Sequence, residues 1–362
     1  MAPALLLACA PATDGWLLTA RGKVIDLRGE PVAAEVSVHS DGALLGEVAA
    51  DADGTWSLSI VVEEDAAVPL RIAAQDGEAL GTAWSTLEVY EQPTSSPLFV
   101  GSGQRLDSEV VWVPAVVVAE PLEDSLSGRV LDGSSGEAAS RVLLEVRSGW
   151  NAPSSEPVLA TTATDVDGLF EASLPAGVYT LHAQADEGWA ASVFPAATGG
   201  DALGVVVPPL AEDQLVMALT HEGTLDLDLH TVGPRAGTDG TGQPFDVYSE
   251  RPDHPDRGDP VAELVVEEHR VEVGWVHERR TSGLYRAVVF DAGGLTVEDN
   301  DALGHARPAV QFWSSEGPAM AQATPGRIGT HWVALRLDLD REELQRPESY
   351  GQDADPTDPM TF

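Results

Sequence analysis

The sequence predicts an all-β protein of about three tandem β-sandwich domains, followed by an acidic, disordered C-terminal tail. Short runs that alternate apolar and polar residues predict strands, and Gly, Pro, Asp and Ser separate these runs as turn residues do. A long internal repeat predicts that the sandwiches follow one another as tandem domains. The expected division is 1–16 for a short apolar segment and tether, 17–120, 121–220 and 221–341 for three sandwiches, and 342–362 for the tail.

The composition excludes several classes of binding partner and of metal or disulfide site. The chain has 59 acidic and 20 basic side chains, a net charge of −39, and 43% hydrophobic residues, which is enough for packed cores. Binding to nucleic acids or to anionic membrane surfaces depends on clustered Lys and Arg, so neither is an expected partner. A single cysteine excludes an intramolecular disulfide, a cysteine-rich zinc site and an iron–sulfur cluster.

That cysteine is Cys9, in a short apolar segment near the N-terminus. Leu6-Leu7-Ala8-Cys9 resembles a bacterial lipobox, which implies a lipid on Cys9 and an extracytoplasmic protein held at the outer membrane or cell surface. A signal peptide also has a basic start and a longer apolar run, and both are missing here. The true start of the signal peptide stays open, and the alternative is a hydrophobic stub with a chance cysteine.

The repeat aligns two segments of the chain. Gly22-x-Val24-x-Asp26 recurs as Gly128-x-Val130-x-Asp132, and Asp53-Gly54 recurs as Asp167-Gly168. Each Asp-Gly pair lies between alternating runs and predicts a hairpin, because Gly accepts a positive φ at the turn. The second copy carries an insertion around 150–155.

These motifs, followed by Pro175-Ala176-Gly177-Val178-Tyr179, resemble the carboxypeptidase regulatory-like family of transthyretin-like (prealbumin-type) β-sandwiches, grouped with carbohydrate-binding-like folds. The second copy has all three motifs, whereas the first lacks the Pro-Ala-Gly-x-Tyr turn. The resemblance implies non-catalytic accessory modules on secreted or surface proteins.

The third domain has different motifs. Gly223 to His230, Ser282 to Phe290 and Arg307 to Trp313 are similar to bacterial extracellular β-sandwiches of the pre-peptidase C-terminal kind. The stretch from Gly233 to Pro260 is expected to be a long polar loop.

Asp226, Asp228 and His230 alternate with leucines at 225, 227 and 229, so the three polar side chains should project from one face of a strand. Carboxylate and imidazole ligands on one face could bind a divalent cation. The alternative is a half-buried strand with a polar outer face, which explains the same alternation.

A second candidate metal site is acidic. Glu298, Asp299 and Asp301 follow one another in an apparent loop and could bind Ca²⁺, although a solvated acidic loop explains them too. No other cofactor is expected. The sequence contains no P-loop, nucleophile elbow or His-Glu-x-x-His motif.

The leading hypothesis is therefore a non-enzymatic, surface-anchored lipoprotein that serves as a spacer or as a binding and adhesion module. Its partners would be a membrane through the lipid on Cys9, and glycans or another surface protein. The alternatives are a carbohydrate-binding accessory protein and a metal-dependent enzyme with a site in 221–341. The tryptophans that could stack on sugars are Trp84, Trp150, Trp189, Trp275 and Trp313, and packing in the core or at the rim of a sandwich is the alternative for each of them.

Overall fold

The chain folds as an all-β protein, as predicted, in a computed structural model. The described residues are 16–62, 67–88, 110–184, 188–235, 244–250, 252–256, 259–268, 270–279, 282–291, 293, 302–315, 317–323, 329–340, 343–345 and 349–351. They form six sheets, which pair into three sandwiches, and one helical turn. Within these ranges, no helix is long and apolar enough to cross a bilayer.

The first sandwich contains eight of the described strands: β1 (Trp16–Asp26), β2 (Glu35–Ser40), β3 (Ala43–Ala49), β4 (Thr55–Val62), β5 (Ala67–Asp76), β6 (Ala79–Glu88), β7 (Val110–Trp112) and β8 (Val116–Val118). One sheet has the order β3-β2-β5-β6, and the other has β4-β1-β7 with β8 also on β1. Alternate side chains of β2, β4 and β5 face inward, and Trp56, Leu70 and Ile72 lie in the core between the sheets.

The second sandwich repeats this plan with seven strands: β9 (Glu123–Asp132), β10 (Leu143–Ser148), β11 (Ala160–Ala163), β12 (Leu169–Pro175), β13 (Val178–Ala183), β14 (Ser192–Ala197) and β15 (Asp201–Val206). The sheets have the orders β11-β10-β13-β14 and β12-β9-β15. The repeat is visible in matching hydrogen bonds: Val24 N–H donates to the carbonyl of Gly54 at 2.8 Å, and Val130 N–H donates to that of Gly168 at 2.9 Å.

The prediction that the Asp-Gly pairs form hairpins is wrong, although both are turns. Gly54 and Gly168 have φ of 76° and 74°, as predicted, but the strands they join do not pair. Each turn instead carries the chain from one sheet to the other, since β3 and β11 belong to one sheet and β4 and β12 to the opposite one. Side-chain bonds hold the turns: Asp53 Oδ1 accepts from Thr55 N–H at 3.0 Å, and Asp165 Oδ1 accepts from Leu169 N–H at 2.9 Å.

The Pro-Ala-Gly-x-Tyr segment of the second sandwich is a turn between β12 and β13, as predicted. The hydroxyl of Tyr179 donates to the carbonyl of Pro175 and closes the turn. Burial, with a smaller contribution from Asp124, raises the pKa of Tyr179 to about 12, so the phenol stays protonated as a donor.

The third sandwich holds the remaining described elements: β16 (Leu215–Thr220), β17 (Leu227–Arg235), β18 (Pro244–Val247), β19 (Asp253–Asp256), β20 (Asp259–Glu268), β21 (Val271–Val276), β22 (Leu284–Asp291), α1 (Ala302–His305), β23 (Ala309–Ser314), β24 (Gly317–Gln322), β25 (His331–Asp338), β26 (Glu343–Gln345) and β27 (Ser349–Gly351). One sheet has the order β19-β20-β21-β16-β23-β24, and the other has β18-β17-β22-β25-β26 with β27 on β25.

Two stretches of the third sandwich differ from the sequence-based expectation. The range 233–260, expected to be a polar loop, contains β18, β19 and the adjoining ends of β17 and β20. Strand β18 forms there because Phe245 and Val247 are buried in the core despite their polar neighbours. Within the expected tail, β26 and β27 pair with β25, and Leu344 packs against the core. The other residues of that tail, 342, 346–348 and 352–362, lie outside the described residues.

Candidate functional site

Strand β17 positions the first set of candidate residues. Leu227 and Leu229 face the core of the third sandwich, and Leu225 packs against it, so the predicted alternation is confirmed. Asp228 and His230 lie on the opposite face of β17, while Asp226 precedes the strand and is exposed. The opposite face is not open to solvent at its centre, because His230 is only 1% exposed.

His230 is paired with a carboxylate that the sequence did not single out. Strand β18 lies beside β17 with Asp246 opposite Val232, which brings Asp246 to the same face as His230. The Nδ1 atom of His230 lies 3.1 Å from both carboxylate oxygens of Asp246, which is also 1% exposed. The ring of Tyr248 stacks on the imidazole with centroids 4.3 Å apart. A buried carboxylate and an aromatic ring thus fix the imidazole orientation.

The neighbouring polar groups have separate partners. Asp228 accepts a hydrogen bond of 2.7 Å from the hydroxyl of Ser249, and Glu272 accepts one of 2.6 Å from the backbone N–H of Leu229. In the part of the chain that the structure describes, no three His, Cys, Asp or Glu side chains are grouped so that they could hold a metal ion. Asp228 and His230 therefore bond different partners, Asp226 is exposed, and the three do not surround one shared centre.

The other sequence-predicted site residues are the lipidation site and the acidic cluster. Cys9, Glu298, Asp299 and Asp301 lie outside the described residues. The lipid anchor on Cys9 and the acidic Ca²⁺ site remain predictions.

The tryptophans proposed as sugar platforms divide into two groups. Trp150, Trp275 and Trp313 are 4%, 7% and 1% exposed, so the packing alternative holds for these three, and they lie at the contacts between sandwiches. Trp84 and Trp189 are half-buried. The guanidinium carbon of Arg71 lies 5.8 Å from the centroid of the Trp84 ring, on the outer face of the sheet β3-β2-β5-β6.

The same face carries a groove. It has a volume of about 410 Å³ and is lined by all four strands of this sheet, with the polar side chains of Glu35, Glu47, Arg71 and Gln75 among its walls. Arg71 therefore connects this groove to the half-exposed ring of Trp84.

The contact between the first and second sandwiches is made by the insertion of the second repeat. The backbone N–H of Trp150 donates to the carbonyl of Thr82 at 3.1 Å, and the backbone N–H of Trp84 donates to the carbonyl of Trp150 at 2.9 Å. The segment therefore adds a parallel bridge to the edge strand β6, and the indole of Trp150 joins the core of the first sandwich. Gly149 allows this approach, because its φ is +89° and a Cβ there would lie 2.5 Å from the carbonyl oxygen of Thr82.

Two side chains of β13, the buried Thr180 and the half-buried His182, bond this segment to the second sandwich. The hydroxyl of Thr180 donates to the carbonyl of Gly149 at 2.7 Å and accepts from Ala152 N–H at 2.9 Å. His182 donates from Nε2 to the carbonyl of Ala152 at 2.8 Å. Burial lowers the pKa of His182, because it disfavours the charged form of the imidazole.

The contact between the second and third sandwiches centres on Gln311 of β23, which is fully buried. Its Oε1 accepts from Val205 N–H at 3.2 Å, and its Nε2 lies 3.3 Å from the carbonyl of the same residue. The side-chain amide thus bonds the free edge of β15 as another strand would. Nε2 also donates to the carbonyl of Val193 at 2.8 Å and to Ser192 Oγ at 3.1 Å.

Further contacts link the third sandwich to the other two. Trp313 Nε1 donates to the carbonyl of Ala191 at 3.2 Å, and Trp275 and Trp313 pack with Leu131 and Val205 in a cluster shared by the two sandwiches. Arg307 reaches from the third sandwich to the first, where its guanidinium donates to the carbonyl of Leu27 at 2.8 Å.

Sequence reasoning missed Asp246, Gln311 and Thr180. Gln311 carried a signal, since it is the one polar residue before Ser314 in the otherwise apolar strand β23. Asp246 and Thr180 carried none, because their partners are 16 and more than 25 residues away in the chain.

Fold and junctions together define a multidomain β-sandwich protein whose sandwiches are docked by buried contacts. No protein-family model matches the chain, and no curated protein sequence matches it. Solved structures with some similarity include the Bacillus anthracis TIE protein, at 11% identity and a TM-score of 0.20 over 77% of this chain and 46% of that one. This chain therefore spans less than half of that relative.

Two pilins are also similar. The shaft pilin SpaA from Lactobacillus rhamnosus GG shares 9% identity at a TM-score of 0.19, over 54% of this chain and 97% of that one. The Streptococcal ancillary pilin shares 14% identity at a TM-score of 0.20, over 54% of this chain and 63% of that one. Values this low carry no conclusion about function.

Proposed function

We propose that the chain is a non-enzymatic spacer with a binding or adhesion role outside the cytoplasm. Its three sandwiches form a stiff arm, held at the outer membrane or cell surface by a lipid on Cys9. In this proposal the first two sandwiches are carboxypeptidase regulatory-like modules, and the third is of the pre-peptidase C-terminal kind.

The observation that carries the proposal is the buried amide of Gln311. Its oxygen and nitrogen bond backbone groups of Val205 and Val193, which belong to the other sandwich. A buried polar group left without its partner costs about 1–3 kcal/mol, so separation of the two sandwiches is unfavourable. Flexibly linked domains need no such contact, whereas a spacer that holds a fixed distance does.

Stiffness can be measured as a distance distribution between the first and third sandwiches. Spin labels at Glu78→Cys and Asp340→Cys, both at exposed turns, would report this distribution by double electron–electron resonance spectroscopy in a Cys9→Ser background. We expect one narrow distribution, and Gln311→Leu should broaden it. Gln75→Leu, which alters an exposed glutamine of the first sandwich, should not. A broad distribution in the parent protein would refute the spacer proposal.

Anchoring is tested separately at Cys9. A palmitate analogue supplied to a bacterial host that expresses the full-length chain should label the protein and place it in the membrane fraction. The Cys9→Ser variant is expected to stay unlabelled. Equal labelling of both proteins, or of neither, would exclude the lipid anchor.

Glycan binding is the second candidate, favoured by the groove beside Arg71 and Trp84. A charged side chain over an indole beside a polar groove suits the hydroxyl groups and apolar faces of a sugar. A glycan array should then give a signal that Arg71→Ala removes and Arg28→Ala, at another exposed arginine of the same sandwich, retains. An array without signal for the parent protein would eliminate this candidate.

A further inference from the structure

The first and last described strands of the first sandwich lie side by side and run in the same direction. Strand β1 pairs in parallel with β7, from Thr19 opposite Val110 to Arg21 opposite Trp112. It then pairs in parallel with β8, from Val24 opposite Val116 onward. The chain therefore enters this sandwich at the start of β1 and leaves at the far end of the neighbouring strand.

The second sandwich has the same arrangement with different sequence. Strand β9 pairs in parallel with β15 over six residues of each strand, from Ser127 opposite Asp201 to Asp132 opposite Val206. Gly133 N–H adds a further bond to the carbonyl of Val206 at 2.8 Å. Side chains at the centre of this pair, such as Val130 and Val205, are fully buried, so the ladder between the strands is shielded from water.

The third sandwich is built differently. Its first strand, β16, pairs with β21 and β23 in one sheet, while β25 and the short strands that follow it belong to the other sheet. Its entering and leaving strands therefore share no ladder among the described residues.

The direction of the applied force determines how strongly a parallel pair of terminal strands resists unfolding. Tension between the start of β9 and the end of β15 slides the strands along each other, so the bonds of the ladder bear the load together. Tension between the starts of both strands opens the ladder from one end, and each bond is loaded alone. Forced unfolding follows the barrier to unfolding, which is higher when many bonds must break at once.

We propose that the first two sandwiches bear tension along the chain, with the parallel pairs β1–β7/β8 and β9–β15 as their mechanical clamps. This inference rests on the proposed function, because tension arises when a spacer is anchored at one end and holds a partner at the other. A spacer that only sets distance needs stiffness, whereas one that holds an adherent partner also needs strength.

Single-molecule force spectroscopy on the full chain can compare the two directions within one sandwich. In a Cys9→Ser background, handles at Glu120→Cys and Glu212→Cys load β9 and β15 in shear, and handles at Glu120→Cys and Gly200→Cys unzip them. All three positions are exposed. We expect shear to require a rupture force about twofold higher or more than unzipping.

Equal rupture forces in the two directions would overturn the clamp. That result would leave the stiffness measurement untouched, since the distance distribution between Glu78 and Asp340 tests the spacer alone. Melting curves of both handle variants check that the sandwich is folded. If the variant with Gly200→Cys has a lowered melting temperature, Asp201→Cys replaces it as the unzipping handle, because the side chain of Asp201 is 73% exposed.

Discussion

The backbone N–H of Trp84 donates a hydrogen bond of 2.9 Å to the carbonyl oxygen of Trp150, across the boundary between the first and second sandwiches. Trp150 belongs to the insertion that distinguishes the second repeat from the first, and its indole is buried in the core of the first sandwich. The insertion that only the second repeat contains therefore forms the contact between the two sandwiches. An insertion that adds to the edge strand β6 also covers backbone groups that would otherwise be open to pairing with another chain.

Gly149→Ala should undock this junction. Left-handed backbone costs an L-residue about 1–2 kcal/mol, and the added Cβ would also lie 2.5 Å from the carbonyl oxygen of Thr82. Gly77→Ala is the matched control, because φ is +61° there and no atom lies within 4 Å of the added Cβ. Spin labels at Glu78→Cys and Glu171→Cys should report a broader distance distribution for Gly149→Ala than for the control. The same narrow distribution in both would show that the close approach does not hold the junction.

Thr180→Val should loosen the same junction from the other side. Valine keeps the shape of threonine but removes the hydroxyl, so the carbonyl of Gly149 and the N–H of Ala152 lose their buried partner. Each unsatisfied group costs about 1–3 kcal/mol. Hydrogen–deuterium exchange should become faster in 149–152 and in the paired segment of β6. Thr162→Val removes one hydroxyl bond at the surface and should leave exchange in these segments unchanged.

Local patterns in the sequence were sufficient to predict the elements that depend on nearby residues. Alternation identified the inward side chains of β17, and Asp-Gly identified turns, because both properties are set within a few residues. Local patterns did not predict which sheet the strand after each turn joins. Whether the next strand continues the same sheet or crosses to the other depends on packing of the whole sandwich.

Contacts over long distances in the chain account for the candidate-site residues that the sequence missed. Gln311 bonds Val205 across 106 residues, and no periodicity connects a glutamine on one strand with a free edge in another sandwich. Trp150 and Trp313 were noticed as large aromatic residues, but their type does not distinguish a sugar platform from a junction. Burial distinguishes them, and burial between domains is a tertiary property.

Acidification should destabilise the second sandwich through His182. Burial lowers the pKa of this imidazole below that of the unfolded chain, so the unfolded state binds the proton first as the pH falls. Stability is then complete above the unfolded pKa of about 6.5 and declines as the pH falls from there toward the folded pKa. His182→Gln keeps a donor for the carbonyl of Ala152 and removes the titration. Exchange rates of β13 between about pH 7.5 and about pH 5.5, corrected for intrinsic chemistry, should rise more in the parent protein than in this variant. Parallel pH profiles would exclude His182 as the cause.

Asp246→Ala should destabilise the third sandwich around β17. The carboxylate is 1% exposed and accepts from Nδ1 of His230, so its removal leaves a buried imidazole donor without this acceptor, at a cost of about 1–3 kcal/mol. Tyr248 still stacks on the ring, which keeps the imidazole in place and prevents it from turning toward water. Hydrogen–deuterium exchange should therefore become faster in β17 and in its neighbour β22, and not in β9 or β15 of the second sandwich. Asp213→Ala removes an exposed carboxylate from the connection before β16 and serves as the control for lost charge. If exchange in β17 rises equally in both variants, loss of negative charge and not loss of the His230 acceptor is responsible.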